Sequence, residues 1–168
     1  ELIARKVHKQ SKRYKGPFII LNAALLDIKK YELELFGEEK EYGAISYGAL
    51  EKASGGTLLI DEISEIQLET QSKILRVLTD QKFKRTNGNH DINVDVRIIC
   101  SSTKDIKKEI ELGNFREDLY HRLNVLEINV EPLNKRVSDI PLLIEYFSEK
   151  ISSNYNLKKL KIDADNQY

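Results

Sequence analysis

The chain of 168 residues has no methionine and no tryptophan, one cysteine and three prolines, and its 27 basic side chains equal its 27 acidic ones. Each scarcity closes a possibility. A single thiol, Cys100, excludes an intramolecular disulfide, and its seat in the apolar run Val96-Arg97-Ile98-Ile99-Cys100 reads as a small core residue. A net charge of +0 removes any bulk electrostatic case for nucleic-acid or membrane binding. No apolar stretch approaches the roughly 20 residues of a membrane-spanning helix, and the start is charged rather than signal-like, so a cytoplasmic location and no membrane partner are expected. The missing methionine, with Glu1 in first position, gives the expectation that the chain is a piece of a longer one, truncated at both ends.

What is present is the balance of a globular protein, 32% charged and 40% hydrophobic, at a length that suits one domain. The stretch that organises it is Gly55-Gly56-Thr57-Leu58-Leu59-Ile60-Asp61-Glu62. An apolar run without polar alternation suits a strand buried on both faces of a parallel sheet. Two acids at its carboxyl end stand where open α/β sheets bind ligands. The stretch therefore reads as the Walker B strand of a nucleotide triphosphatase, or, more plainly, as a buried strand ending in a solvated Asp-Glu turn.

The periodicity predicts a helix from Glu1 to about Arg13 with Leu2, Ile3, Ala4 and Val7 as its apolar positions. Phe18 to Leu21 reads as a buried strand after the break at Gly16-Pro17, and Lys29 to Phe36 as a helix closed by Gly37. Residues 38 to 54 read as an exposed excursion with a helical end at Ala49 to Ala53. An amphipathic helix over Leu68 to Leu78, an extended piece at Phe83, a turn at Asn87-Gly88-Asn89 and a strand over Val94 to Cys100 follow. Two helical stretches lead to a strand at Val125 to Val130, and a last amphipathic helix runs from Ser138 to about Ser152, with Leu142, Leu143, Tyr146 and Phe147 apolar. Strands alternating with helices predict an α/β architecture with a mainly parallel sheet covered by helices, in one domain over 1–152 and a polar tail over 153–168.

In their order the blocks Pro17 to Asn22, Glu34-Leu35-Phe36-Gly37, Gly55 to Glu62, Gln71 to Leu78, Val94 to Ile99, Phe115-Arg116-Glu117-Asp118-Leu119-Tyr120-His121-Arg122-Leu123-Asn124 and Asp139-Ile140-Pro141 resemble the AAA+ central domain of the NtrC-like activators of sigma-54 RNA polymerase. The likeness covers residues 1 to about 150. It implies a P-loop NTPase fold with ATP and Mg²⁺ as cofactors: Asp61 would hold Mg²⁺ through its water shell, and Glu62 would polarise the attacking water. Asn22 resembles the strand-end asparagine that holds the catalytic Glu in an inactive rotamer. Arg116 and Arg122 resemble the arginine pair that reaches a neighbouring subunit's nucleotide, and Thr103 stands where the family places a polar sensor of the phosphate. Six residues of unbroken helix rotate by about 240°. The two arginines therefore meet one phosphate only if the helix breaks between them; otherwise one alone is a finger, or they pair locally with Glu117 and Asp118.

Two features depart from the family. No G-x-x-x-x-G-K-[ST] loop occurs in the chain, so weak ATP binding and no turnover are expected of it alone. The segment Glu38 to Ala49 carries no complete Gly-Ala-Phe-Thr-Gly-Ala loop, and the sigma-54 contact is not expected to be intact. That loss is similar to the NtrX branch. The implied parent is a two-component response regulator acting as a ring-shaped homo-oligomer, a phosphoprotein addressed by a sensor kinase through a receiver domain and binding DNA through a further domain. A regulatory oligomerisation module that binds nucleotide without remodelling polymerase, an unrelated AAA+ ATPase, and an inactive product of a broken gene are the alternatives.

Overall fold

The computed structural model describes residues 1–25 and 27–157. The chain folds as two compact units, Glu1–Leu126 and Glu127–Tyr168. In the first, α1 (Leu2–Lys9) leads to β1 (Phe18–Asn22), then come α2 (Ile28–Phe36), β2 (Gly37–Glu39), β3 (Ile45–Tyr47), α3 (Ala49–Lys52) and β4 (Thr57–Asp61). After these come α4 (Leu68–Asp80), β5 (Lys82–Lys84), β6 (Asp91–Asn93), β7 (Arg97–Cys100), α5 (Ile106–Glu111) and α6 (Glu117–Leu123). The second unit holds short 3-10 turns and α7 (Ile140–Tyr155). Among the described residues no helix is long and apolar enough to cross a membrane.

The frame is a three-stranded parallel sheet in the order β1-β4-β7. Its central strand pairs Phe18 with Thr57 through Asn22 with Asp61 on one side, and Thr57 with Arg97 through Ile60 with Cys100 on the other. Thr57, Leu58, Leu59 and Ile60 are at most 1% exposed, as the unalternating run predicts for a strand covered on both faces. One core cluster gathers Leu35 of α2, Leu50 of α3, Leu58 and Ile60 of β4, Ile74 and Val77 of α4 and Leu119 of α6.

At the amino ends of the strands the packing is backbone against backbone. A Cβ on Gly56 would press into the carbonyl and ring of Pro17, while the Thr57 amide donates to that carbonyl at 2.9 Å. The buried His8 ring lies 5.2 Å from the Phe18 ring, and its Nδ1 is 3.0 Å from Thr57 Oγ1.

Several predicted elements are corrected. The first helix stops at Lys9, and it is Ala4 and His8 that face the core; Leu2 and Ile3 are exposed. His8 wins the inward position because Thr57 gives its ring nitrogen a buried partner. The excursion after Gly37 is an ordered antiparallel hairpin, β2 with β3, reaching Tyr42 at its tip. The third sheet strand begins only at Arg97: the Asp95 amide and carbonyl are taken by Ser54 Oγ and the Gly55 amide, and the Val96 amide by Gln81 Oε1, which diverts them from the ladder. The strand expected at Val125–Val130 is irregular, with Val125, Leu126, Ile128 and Val130 exposed. No described strand pairs with it, and a lone strand leaves its backbone to water.

Within the second unit α7 starts after the turn at Val137–Asp139, with Pro141 in its first turn. It exposes Leu142, Tyr146 and Phe147 of the apolar set, and it continues through Tyr155 into the stretch expected to be tail. The rest of that tail, 158–168, lies outside the described residues.

Candidate active site

Three parallel strands that share one direction bring their carboxyl ends to one rim, and the side chains there form two hydrogen-bonded groups. The first surrounds Asp61. Asn22 is its register partner on β1 and donates Nδ2–H to Asp61 Oδ2 at 2.9 Å, while Asn22 Oδ1 accepts the Ala24 amide at 2.9 Å. From the other side Ser101, which follows β7, donates its hydroxyl to Asp61 Oδ1. The Ser101 amide extends the ladder to Ile60 O at 3.0 Å, and its carbonyl accepts the Ile63 amide at 2.9 Å. Asp61 is therefore locked between its two neighbouring strands.

The second group surrounds Glu62. Its backbone is left-handed, φ 56° and ψ 54°, an unusual conformation for a residue with a side chain. It turns the chain away from the strand axis into the 3-10 turn Ile63–Glu65. Thr103 donates its amide to Glu62 Oε2 at 3.0 Å and its hydroxyl to the same oxygen at 3.1 Å. Beside it Lys104 pairs with Glu65 at 2.8 Å, and that hydrogen bond, with the charges of Glu65, Glu109 and Glu62, raises the Lys104 ammonium above its ordinary range.

Asn22, Asp61, Glu62 and Thr103 are thus brought together as expected, with one exchange of partners. The asparagine amide meets Asp61 and not the catalytic Glu, because register places Asn22 beside Asp61, whereas Glu62 lies past the strand end and turns toward β7. Ser101 was not anticipated; its signal is a hydroxyl one residue beyond an apolar strand parallel to the acidic one.

The arginines stand apart from these groups in their bonding. Arg116 is the N-cap of α6 with extended backbone, φ −78° and ψ 129°, so the helix does not run unbroken between the two. Its guanidinium grips Asp118 in a fork at 3.0 and 2.6 Å and reaches Ser72 Oγ at 3.1 Å. The ion pair holds Asp118 below the usual carboxylate range. Arg122, in the last turn, donates to the Leu78 carbonyl at 3.0 Å. The local pairing with Asp118 is therefore present.

A residue that sequence reasoning missed ties this segment to the rim. Gln71 is fully buried; its Nε2 donates to Ile66 O at 2.7 Å and Asn114 O at 2.9 Å, and its Oε1 accepts the Arg116 amide at 2.8 Å. Its signal is a polar residue in the stripe Gln71, Ile74, Leu75 and Leu78 of an amphipathic helix. Cys100, packed against the core from β7, has its thiol pushed up to about 12 by burial, which leaves it an inert packing group. Among the described residues no cluster of three or more His, Cys, Asp or Glu forms a ready-made metal site.

Residues 1–129 match the family described as the sigma-54 interaction domain. The chain is similar to the nitrogen assimilation regulatory protein NtrX of Azorhizobium caulinodans, 46% identical over 166 residues that make up 98% of this chain and 37% of that protein. It is also similar to NtrX from Brucella abortus, at 46% identity and a TM-score of 0.89, covering 99% of this chain and 37% of that one. A further structure of the Brucella protein, in complex with ATP, aligns with a TM-score of 0.86 over 99% of this chain and 38% of that one at 46% identity. The chain spans a little over a third of the length of these relatives. Its α/β fold, built on a parallel sheet with two acids at the end of the central strand, is that of an AAA+ P-loop NTPase. The chain belongs to the sigma-54 interaction domain family, the central domain of NtrC-type regulators.

Proposed function

We propose that this chain contributes the acidic half of an ATP-hydrolysing site in the central domain of a two-component response regulator of the NtrC/NtrX type. The observation that carries the reading is the separate hydrogen-bonding of the two adjacent acids, Asp61 between Asn22 and Ser101 and Glu62 on Thr103. The relative solved with ATP supports the nucleotide. Oxygen donors at the rim suit Mg²⁺, a hard ion that keeps part of its water shell: the carboxylate of Asp61, steadied on both sides, would hold it. Bound there, the ion would neutralise phosphate charge. Glu62 orients the attacking water. Arg116 and Arg122 would serve a neighbouring subunit's nucleotide in a ring; Arg116 would have to exchange Asp118 for phosphate.

The chain has no lysine-bearing glycine loop, so by itself it should hold ATP weakly and not turn it over. Calorimetric titration with MgATP checks this. Millimolar or weaker affinity is expected of these residues alone. In the full-length regulator Glu62→Gln should keep ATP binding while lowering kcat by at least about 100-fold, and an unchanged kcat would reject the site.

A second reading is favoured by one observation. The hairpin that stands where the activators touch sigma-54 is tipped by Lys40-Glu41-Tyr42-Gly43-Ala44, with Tyr42 wholly exposed and left-handed at φ 64°. Such a tip fits an assembly module that binds nucleotide without driving polymerase. Sigma-54-dependent open-complex formation by the full-length regulator would exclude it.

A further inference from the structure

We propose that Thr103, and not Asn22, is the positioning residue for Glu62, and that Asn22 with Ser101 serves Asp61 instead. The inference rests on reading Glu62 as the carboxylate that orients the attacking water. Asn22 is committed at both ends of its amide, with Oδ1 on the Ala24 amide and Nδ2 on Asp61. Reaching Glu62 would require it to break the bond to its own register partner.

Glu62 meanwhile sits on the far side of Asp61. Its left-handed backbone swings the carboxylate toward the chain that leaves β7, where the Thr103 amide and hydroxyl converge on the single oxygen Oε2. Two donors on one oxygen fix the carboxylate plane. Oε1 is then the oxygen that presents its lone pairs to a water. A left-handed glutamate persists only where its surroundings determine it, and the Thr103 clamp is one such determinant. The task of holding the water-orienting acid therefore falls on β7, not on β1, and any ligand that draws Thr103 away would free Glu62 without disturbing Asp61.

The test uses the full-length regulator with MgATP. Thr103→Val keeps the amide and loses the hydroxyl. It should lower kcat about tenfold, the rate equivalent of one hydrogen bond to a charged group, with KM for ATP within about twofold of the parent. Thr103→Ser should restore kcat. On a Glu62→Gln background Thr103→Val should cost nothing further, because the threonine acts through the glutamate. Asn22→Ala should raise the Mg²⁺ concentration needed for half-maximal rate, which Thr103→Val should not. A raised KM with unchanged kcat in Thr103→Val, or additivity with Glu62→Gln, would overturn the assignment. A second readout needs no turnover: the Thr103 amide proton, shifted downfield by its carboxylate acceptor, should move upfield in Glu62→Ala and stay in Asn22→Ala. The reverse pattern sinks the proposal. Should Glu62→Gln hydrolyse ATP like the parent, the catalytic reading falls instead, and the amide shift still judges the pairing.

Discussion

Gly56 shows how much one missing atom decides. The Pro17 carbonyl accepts the Thr57 amide, so the chain entering β1 runs against the backbone entering β4 with no room for a side chain between them. Gly56→Ala should cost about 2 kcal/mol by overpacking a contact made of backbone that cannot rotate away. Urea denaturation of the domain measures it, and a midpoint unchanged from the parent would show that the strands can separate there. Gly37 meets the same constraint with a conformational one added: at φ 76° its Cβ would meet the backbone of Ser46, Tyr47 and Gly48. The pair Gly37 and Gly48 therefore closes the base of the β2–β3 hairpin, while Arg85 braces its side through Glu39 at 3.1 Å and Glu51 at 2.9 Å, under the Tyr47 ring at 5.5 Å.

Among the elements, α2 and α4 are joined by a charged contact whose sign can be worked out. Burial of Glu32 pushes its carboxyl up, but the hydrogen bonds from Thr70 at 2.7 Å and Lys73 at 2.9 Å outweigh it, and the group titrates below the ordinary range. A carboxyl lowered in the folded state contributes stability in full above its unfolded value of about 4.3, and loses it as pH falls through the lower folded value. Glu32→Gln should therefore destabilise the domain at neutral pH. The urea midpoints of variant and parent should converge between about pH 5 and pH 3. Parallel curves over that range would remove Glu32 from the acid response.

The elements also show where a sequence can be read. β4 is legible because burial on both faces leaves an unalternating run, and α4 because its apolar stripe has a helical period. Val125–Val130 reads as a strand from its β-branched residues, yet pairing is a property of neighbours, and no neighbour lies beside it among the described residues. Position 8 escapes for the opposite reason. A histidine looks polar until a threonine forty-nine residues away supplies its buried partner. At the rim, the identities Asn22, Asp61, Glu62 and Thr103 can be read in advance, but the pairing cannot: it depends on strand register and on one left-handed residue.

At the scale of the whole molecule, the first unit has two unlike poles. The amino ends of its strands are closed by apolar and backbone contacts and by the pairing of Arg13 with Asp95, whose carbonyl also accepts the Gly55 amide at 2.8 Å. The carboxyl ends carry polar side chains held by one or two hydrogen bonds each, the kind of contact that a phosphate or a water can replace. Binding energy delivered at the second pole therefore meets a scaffold stiffened at the first.

Gln71 gives that stiffness a direction. The turn that begins at Glu62 ends on Ile66, whose carbonyl rests on the Gln71 amide, and the other face of the same amide receives the Arg116 N–H. Mechanically this is a crank: the turn cannot shift along the sheet axis without carrying the arginine-bearing loop with it, and the length of the arm is one buried side chain. Gln71→Leu would cut the arm and strand three backbone groups, costing about 2 to 4 kcal/mol. The Arg116 amide would report the cut as time. It should exchange its hydrogen as slowly as the core strands in the parent and at least about 100-fold faster in the variant, so that the pace of one proton tells whether both ends of the site move as a single body.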